Sequence, residues 1–154
     1  MSSESAYALL AIVAVPLLWW MIVRLSAFIS GWRAVAEAYP APEDFTGASI
    51  SMQSAGFEGA GFFPANYSGV LTVGANERGV RFSIFILFRA GHAPIFAPYE
   101  DIRGEEGSLF FIPYVRLHLA RTPETTIRIR RRLARWIEDR SGGAWSYERF
   151  PGAS

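Results

Sequence analysis

The sequence predicts one membrane-crossing helix followed by a small, mainly-β domain that a C-terminal helix closes. Three observations predict this. Residues 5–23, SAYALLAIVAVPLLWWMIV, are uncharged and mostly apolar. At about 1.5 Å per residue they reach roughly 28 Å, close to the hydrocarbon thickness of a bilayer. From about residue 48 the chain changes to short runs of alternating polarity separated by turn residues, the pattern of strands. Near the end, Leu133, Trp136 and Ile137 return to helical spacing.

The anchor is assigned to residues 1–24, with Ala6, Leu9, Leu10, Ile12, Val13, Leu17, Leu18, Trp19, Trp20 and Ile22 facing lipid. A signal peptide is the rival reading. It would carry a basic start and a small-residue cleavage site, whereas this chain begins MSSESAY and continues into Arg24 and SGWR. A core helix of this length would show a polar face, and Pro16 is better tolerated in a membrane helix. The N-terminal flank has no Arg or Lys, while Arg24 and Arg33 follow the run. That bias places the C-terminal domain in the cytoplasm, after a single pass through the membrane. There are no cysteines, which excludes a disulfide-stapled domain.

Residues 25–47 read as a juxtamembrane helix and linker. Trp32, Val35, Ala36 and Tyr39 share one helical face, Pro40 and Pro42 stop the helix, and Gly31 loosens the join to the anchor. Residues 48–141 read as the β domain. Ile50 and Met52 alternate with serines, and Tyr67, Leu71 and Val73 share a strand face. Residues 76–79, NERG, make a hairpin turn in which Gly79 suits a positive φ. The return strand, VRFSIFILFR over 80–89, is apolar on both faces and is expected to be central and doubly covered. Residues 91–94, GHAP, turn the chain. Strands follow before and after the turn GEEG at 104–107, with Pro113 breaking the run 109–120, and again at 125–130. Leu71, Val73, Phe82, Ile84, Ile86, Leu117 and Trp136 are the expected core. Gly142 and Gly143 end the last helix, leaving 142–154 as a flexible tail.

About seven strands followed by one helix, with IFAPYEDI at 95–102, resembles a pleckstrin-homology-like or GRAM-like β-barrel. With SGWRAVAEAY at 30–39 and LFRAGHAP at 87–94, the chain is similar to small bacterial single-span membrane proteins carrying such a domain. The resemblance implies a barrel capped by its C-terminal helix and transfers no catalytic residue.

Net charge is +1, and all 15 basic residues are arginine. Nothing in that balance calls for nucleic acid, and no aromatic RNA motif is present. No nucleotide loop or nucleophile motif occurs. His92 and His118 have no partner histidine nearby, so neither a metal nor another cofactor is expected. The surfaces singled out for membrane or partner contact are two. One is the arginine cluster Arg128, Arg130, Arg131, Arg132 and Arg135 at a strand-to-helix join; the other is the glycine-flanked aromatics Phe57, Phe62, Phe63 and Tyr67. The expected role is non-enzymatic: an adaptor, accessory subunit or scaffold that meets lipid through its N-terminal helix and a membrane protein through its domain. The alternatives are recognition of anionic lipid headgroups, and a tethered enzyme using His92 with Glu100 or Asp101.

Overall fold

The computed structural model describes residues 2–59 and 65–149. Phe62 and Phe63 therefore lie outside the described residues. The first helix, α1, runs Ser3–Ile29, capped by the Ser2 side chain on the Ser5 N–H. It is long and apolar enough to cross a membrane. Its only buried residues are Val23 and Ala27, in its last turns. Gly31, at φ 82°, makes the corner into α2 (Trp32–Ala38). The predicted face of α2 is the buried one: Trp32, Val35, Ala36 and Tyr39 are all in the core.

Eight strands follow: β1 (Ala48–Glu58), β2 (Ala65–Ala75), β3 (Gly79–Ile84), β4 (Ile95–Pro98), β5 (Ile102–Leu109), β6 (Ile112–Leu119), β7 (Thr126–Arg130) and β8 (Tyr147–Glu148). They form one curled sheet, a half-barrel, in the order β4-β3-β2-β1-β7-β6-β5-β8. All pairs are antiparallel except β5 with β8. The sheet ends at β4 and β8. The β4 edge is covered by the segment after α2, through Phe96 N–H to the Tyr39 carbonyl at 3.0 Å and Ala41 N–H to the Pro94 carbonyl at 3.3 Å. The last helix, α3 (Arg131–Arg140), presents Leu133, Ala134 and Ile137 to the sheet. One buried cluster runs unbroken from α2 through the sheet to α3.

The architecture is the predicted one, a long apolar helix before a mainly-β domain with a C-terminal helix. Four local expectations change. First, β3 ends at Ile84. The chain then turns at Phe85 into a single 3-10 turn over residues 86–88, leaving 85–87 exposed. Ile86, expected in the core, is 67% exposed, and Trp136 is only partly buried. Second, Gly79 does not take a positive φ. It is needed for space, because a Cβ there would collide with the Ala97 carbonyl oxygen. Third, β5 and β6 meet in a two-residue turn at Phe110 and Phe111, with Pro113 paired to Ser108 inside β6. Fourth, the stretch from 142 is not all loose tail. Trp145 and Tyr147 are buried, and Trp145 Nε1–H donates to the Ile102 carbonyl at 3.0 Å.

Candidate functional site: the joint between the long helix and the domain

The helix α1 does not leave the domain as a free tether. Trp19 Nε1–H donates to the Leu87 carbonyl at 3.2 Å, and its ring meets Phe88 edge-on at 5.3 Å. One turn further on, Val23 and Ser26 line a cleft of about 250 Å³ with Asn66, Tyr67, Val70 and His92. At Gly91, φ is +74°, and a Cβ would lie 3.2 Å from Arg24 Cγ and 3.4 Å from Ala27 Cβ. Glycine lets the backbone press against the helix and adopt a conformation that costs other residues about 1–2 kcal/mol.

The last turn is tied by a buried polar chain. Ser30 Oγ lies 2.7 Å from Tyr67 Oη, which lies 3.0 Å from His92 Nε2. His92 Nδ1 is 3.1 Å from the Ala90 carbonyl, which can only accept. The proton therefore sits on Nδ1, Nε2 accepts from Tyr67, and Tyr67 accepts from Ser30. Burial holds the His92 pKa below its usual 6.5, against the opposing pull of the Ala90 and Phe88 carbonyls. Burial likewise raises the Tyr67 pKa above 10.0. Both groups are neutral, as this donor order requires.

Aromatic packing surrounds the chain. Trp32 lies 5.0 Å from Phe57, 5.3 Å from Tyr67 and 5.4 Å from His92, and its Nε1–H donates to the Ala93 carbonyl at 2.9 Å. Phe57 and Tyr67, singled out for membrane or partner contact, are part of the joint. Phe57 is fully buried because α2 lays Trp32 on it.

The arginine cluster is divided. Arg128 pairs with Glu58 at 2.9 Å, and Arg131 pairs with the buried Glu106 at 3.1 Å. Arg130, Arg132 and Arg135 are exposed. Arg128 and Arg130 also line a cleft of about 310 Å³ with Tyr67, Tyr114, Leu109 and Phe110. Of the residues weighed for catalysis, His92 is engaged by Tyr67 and Ala90, Glu100 is exposed, and Asp101 pairs with Arg121 at 3.1 Å. The fold does not join the three into one hydrogen-bonded set. Among the described residues no group of three metal-ligating side chains converges.

Two apolar tips went unread in the sequence. Outside α1, every large hydrophobic residue exposed among the described residues is Met52 or belongs to 85–87 or 109–112. Met52 sits at an irregularity of β1, at φ 57° and 82% exposed. Phe110 and Phe111 occupy the hairpin turn at φ 49° and 67°, where Asn-Gly is the favoured pair. The signal available was four consecutive apolar residues, LFFI at 109–112, running across the turn between two strands.

Ser30 bonds Tyr67, while Phe85 N–H donates to the Val70 carbonyl at 2.9 Å and Phe88 packs on Trp19. By strand polarity β3 leaves the sheet toward the start of β2 and the β5–β6 turn lies toward its finish. The two tips nonetheless border one stretch of β2. Asn66, Tyr67 and Ser68 wall both clefts, one against α1 and Phe88, the other against Leu109 and Phe110.

No protein-family model matches the chain, and no curated protein is significantly similar to it.

Proposed function

We propose that this is a single-span protein of the bacterial inner membrane whose cytoplasmic, pleckstrin-homology-like domain is an adaptor or accessory subunit for a membrane-protein partner. The observation that carries the reading is the joint. Trp19 and Ser30 bind the end of α1 to Leu87 and Tyr67, and Trp32 at the start of α2 binds Ala93, so the domain has one orientation relative to a membrane-length helix. A module that meets a partner in the same membrane gains from a fixed orientation, since less freedom is lost on binding. An enzyme acting on a diffusing substrate needs only a flexible tether. The cytoplasmic side is supported by Arg24 and Arg33 against a flank without Arg or Lys. The curled sheet with its C-terminal helix supports the domain type.

Purification of the tagged full chain in mild detergent tests the adaptor reading. A membrane protein should accompany it in fixed proportion. It should be lost from a Gly91→Val variant, which crowds Arg24 and Ala27 at the joint while leaving α1 in the membrane. A chain that purifies alone from its native membrane contradicts the reading.

Recognition of anionic lipid headgroups has one observation in its favour. The cleft holding Arg128 and Arg130 is also lined by Tyr114 and lies beside the apolar hairpin tip. Replacing Arg130, Arg132 and Arg135 by Gln should then lower binding to anionic vesicles, and salt should weaken wild-type binding. Salt-independent binding speaks against it.

A further inference from the structure

We propose that the domain itself enters the bilayer, through the tip at residues 85–87 and the hairpin tip at 109–112, on the face from which α1 emerges. The inference rests on the reading of α1 as a membrane span, and its occupant is the lipid bilayer.

Leu87 is within hydrogen-bond distance of the Trp19 ring, at 3.2 Å. Arg24 lies five residues beyond Trp19 along α1, about 7.5 Å along the axis. With Arg24 at headgroup level, Trp19 is inside the apolar layer, and Leu87 goes with it. That depth matches the roughly 5–10 Å reached by interfacial apolar segments.

The backbone of this tip suits an apolar surrounding. A segment entering hydrocarbon must satisfy its own carbonyls, because no water is there to do so. The carbonyls of Phe85, Ile86 and Leu87 accept from Phe88 N–H at 2.9 Å, Arg89 N–H at 3.3 Å and Trp19 Nε1–H at 3.2 Å. Trp19, on the helix itself, completes the set.

Apart from Met52, the exposed large hydrophobics outside α1 among the described residues lie on these two tips. Both tips border the same stretch of β2, whose Asn66, Tyr67 and Ser68 wall the cleft beside each. Exposed arginines flank them: Arg24 and Arg89 beside the first, and Arg130 in the cleft beside the second. Apolar tips ringed by long cationic side chains are the composition of an interface-lying surface, with the charges drawn to phosphate level. The hairpin spends two unfavourable backbone conformations to hold Phe110 and Phe111 outward, and contact with lipid gives those rings an apolar surrounding.

The chain has no cysteine, so single-cysteine labelling of the full-length protein is direct. An environment-sensitive fluorophore would be placed at Leu87→Cys, Phe111→Cys, Ile12→Cys or Glu77→Cys, each in liposomes of mixed zwitterionic and anionic phospholipid. Lipids carrying a quencher near the headgroup or deep in the chain report depth. The labels at 87 and 111 should be blue-shifted and quenched several-fold more by shallow-quencher lipid than the label at 77, on an exposed turn. The label at 12 should respond to the deep quencher. If 12 is deep while 87 and 111 match 77 in water, the tips do not enter the bilayer and this proposal fails alone. That outcome includes tips that only a protein partner covers. If 12 is not deep, the span reading fails, and the proposal fails with it.

Discussion

At the scale of single residues, the account turns on His92, Tyr67 and Gly91. Tyr67 stands between Ser30 and His92, 2.7 and 3.0 Å away. Tyr67→Phe removes the bridging hydroxyl and leaves two buried polar atoms without this partner. We expect a loss of about 1–3 kcal/mol in denaturant unfolding of the solubilised chain. His92 has a folded pKa held below 6.5 by burial. Its unfolded form takes up a proton near the ordinary value while the folded form does not. Stability is therefore complete above about pH 6.5 and falls as pH drops below it, until the folded pKa is reached. The melting temperature should fall between about pH 7 and pH 5.5, and less so in His92→Gln. An equal fall in both would mean that His92 is not the responsible group. Gly91→Ala adds a methyl at φ +74° against Arg24 and Ala27. It should cost about 1–2 kcal/mol from backbone conformation alone.

At the scale of elements, β3 shows what periodicity can and cannot tell. Its first half behaves as the alternation predicts, with Val80, Phe82 and Ile84 in the core opposite Ala75, Val73 and Leu71. Ile84→Ala should destabilise by roughly 2–5 kcal/mol through the cavity it leaves, read by equilibrium unfolding. A cost below that of an exposed position would misplace β3. Residues 85–88 continue the same apolar pattern but leave the sheet. Alternation reports which side chains avoid water, and a core strand and an apolar tip look alike by that measure. The β5–β6 turn was hidden for a different reason: Phe110 and Phe111 stand where turn chemistry calls for Asn and Gly. α2 and α3 were legible because their packing faces follow helical spacing, and the buried residues fall on those faces. Trp32 covers Phe57 and Tyr67 from a separate element, so local pattern could not tell their packing from an exposed patch. Arg128 and Arg131 likewise pair with Glu58 and Glu106, and cross-strand register is not written in local pattern.

At the scale of the whole molecule, a helix able to cross a membrane and a curled eight-stranded sheet form one body. The sequence showed the two parts and left the joint looking like a hinge, since Gly31 and the prolines read as breaks. The structure places Gly31 at a tight corner, with Ser30 and Trp32 on either side buried and bonded. The arginine bias predicts that a C-terminal reporter is active on the cytoplasmic side, and that Arg24→Glu with Arg33→Glu gives mixed topology. Activity confined to the periplasm would reverse the orientation. The joint is rigid, and a distance distribution reads that rigidity. Spin labels at Ile12→Cys on α1 and Glu77→Cys on the far turn of the domain would be measured by pulsed electron resonance in lipid nanodiscs. The account predicts one narrow distribution that broadens in Gly91→Val; a broad or multi-peaked distribution in the otherwise unaltered chain would show a domain swinging on a tether and contradict it.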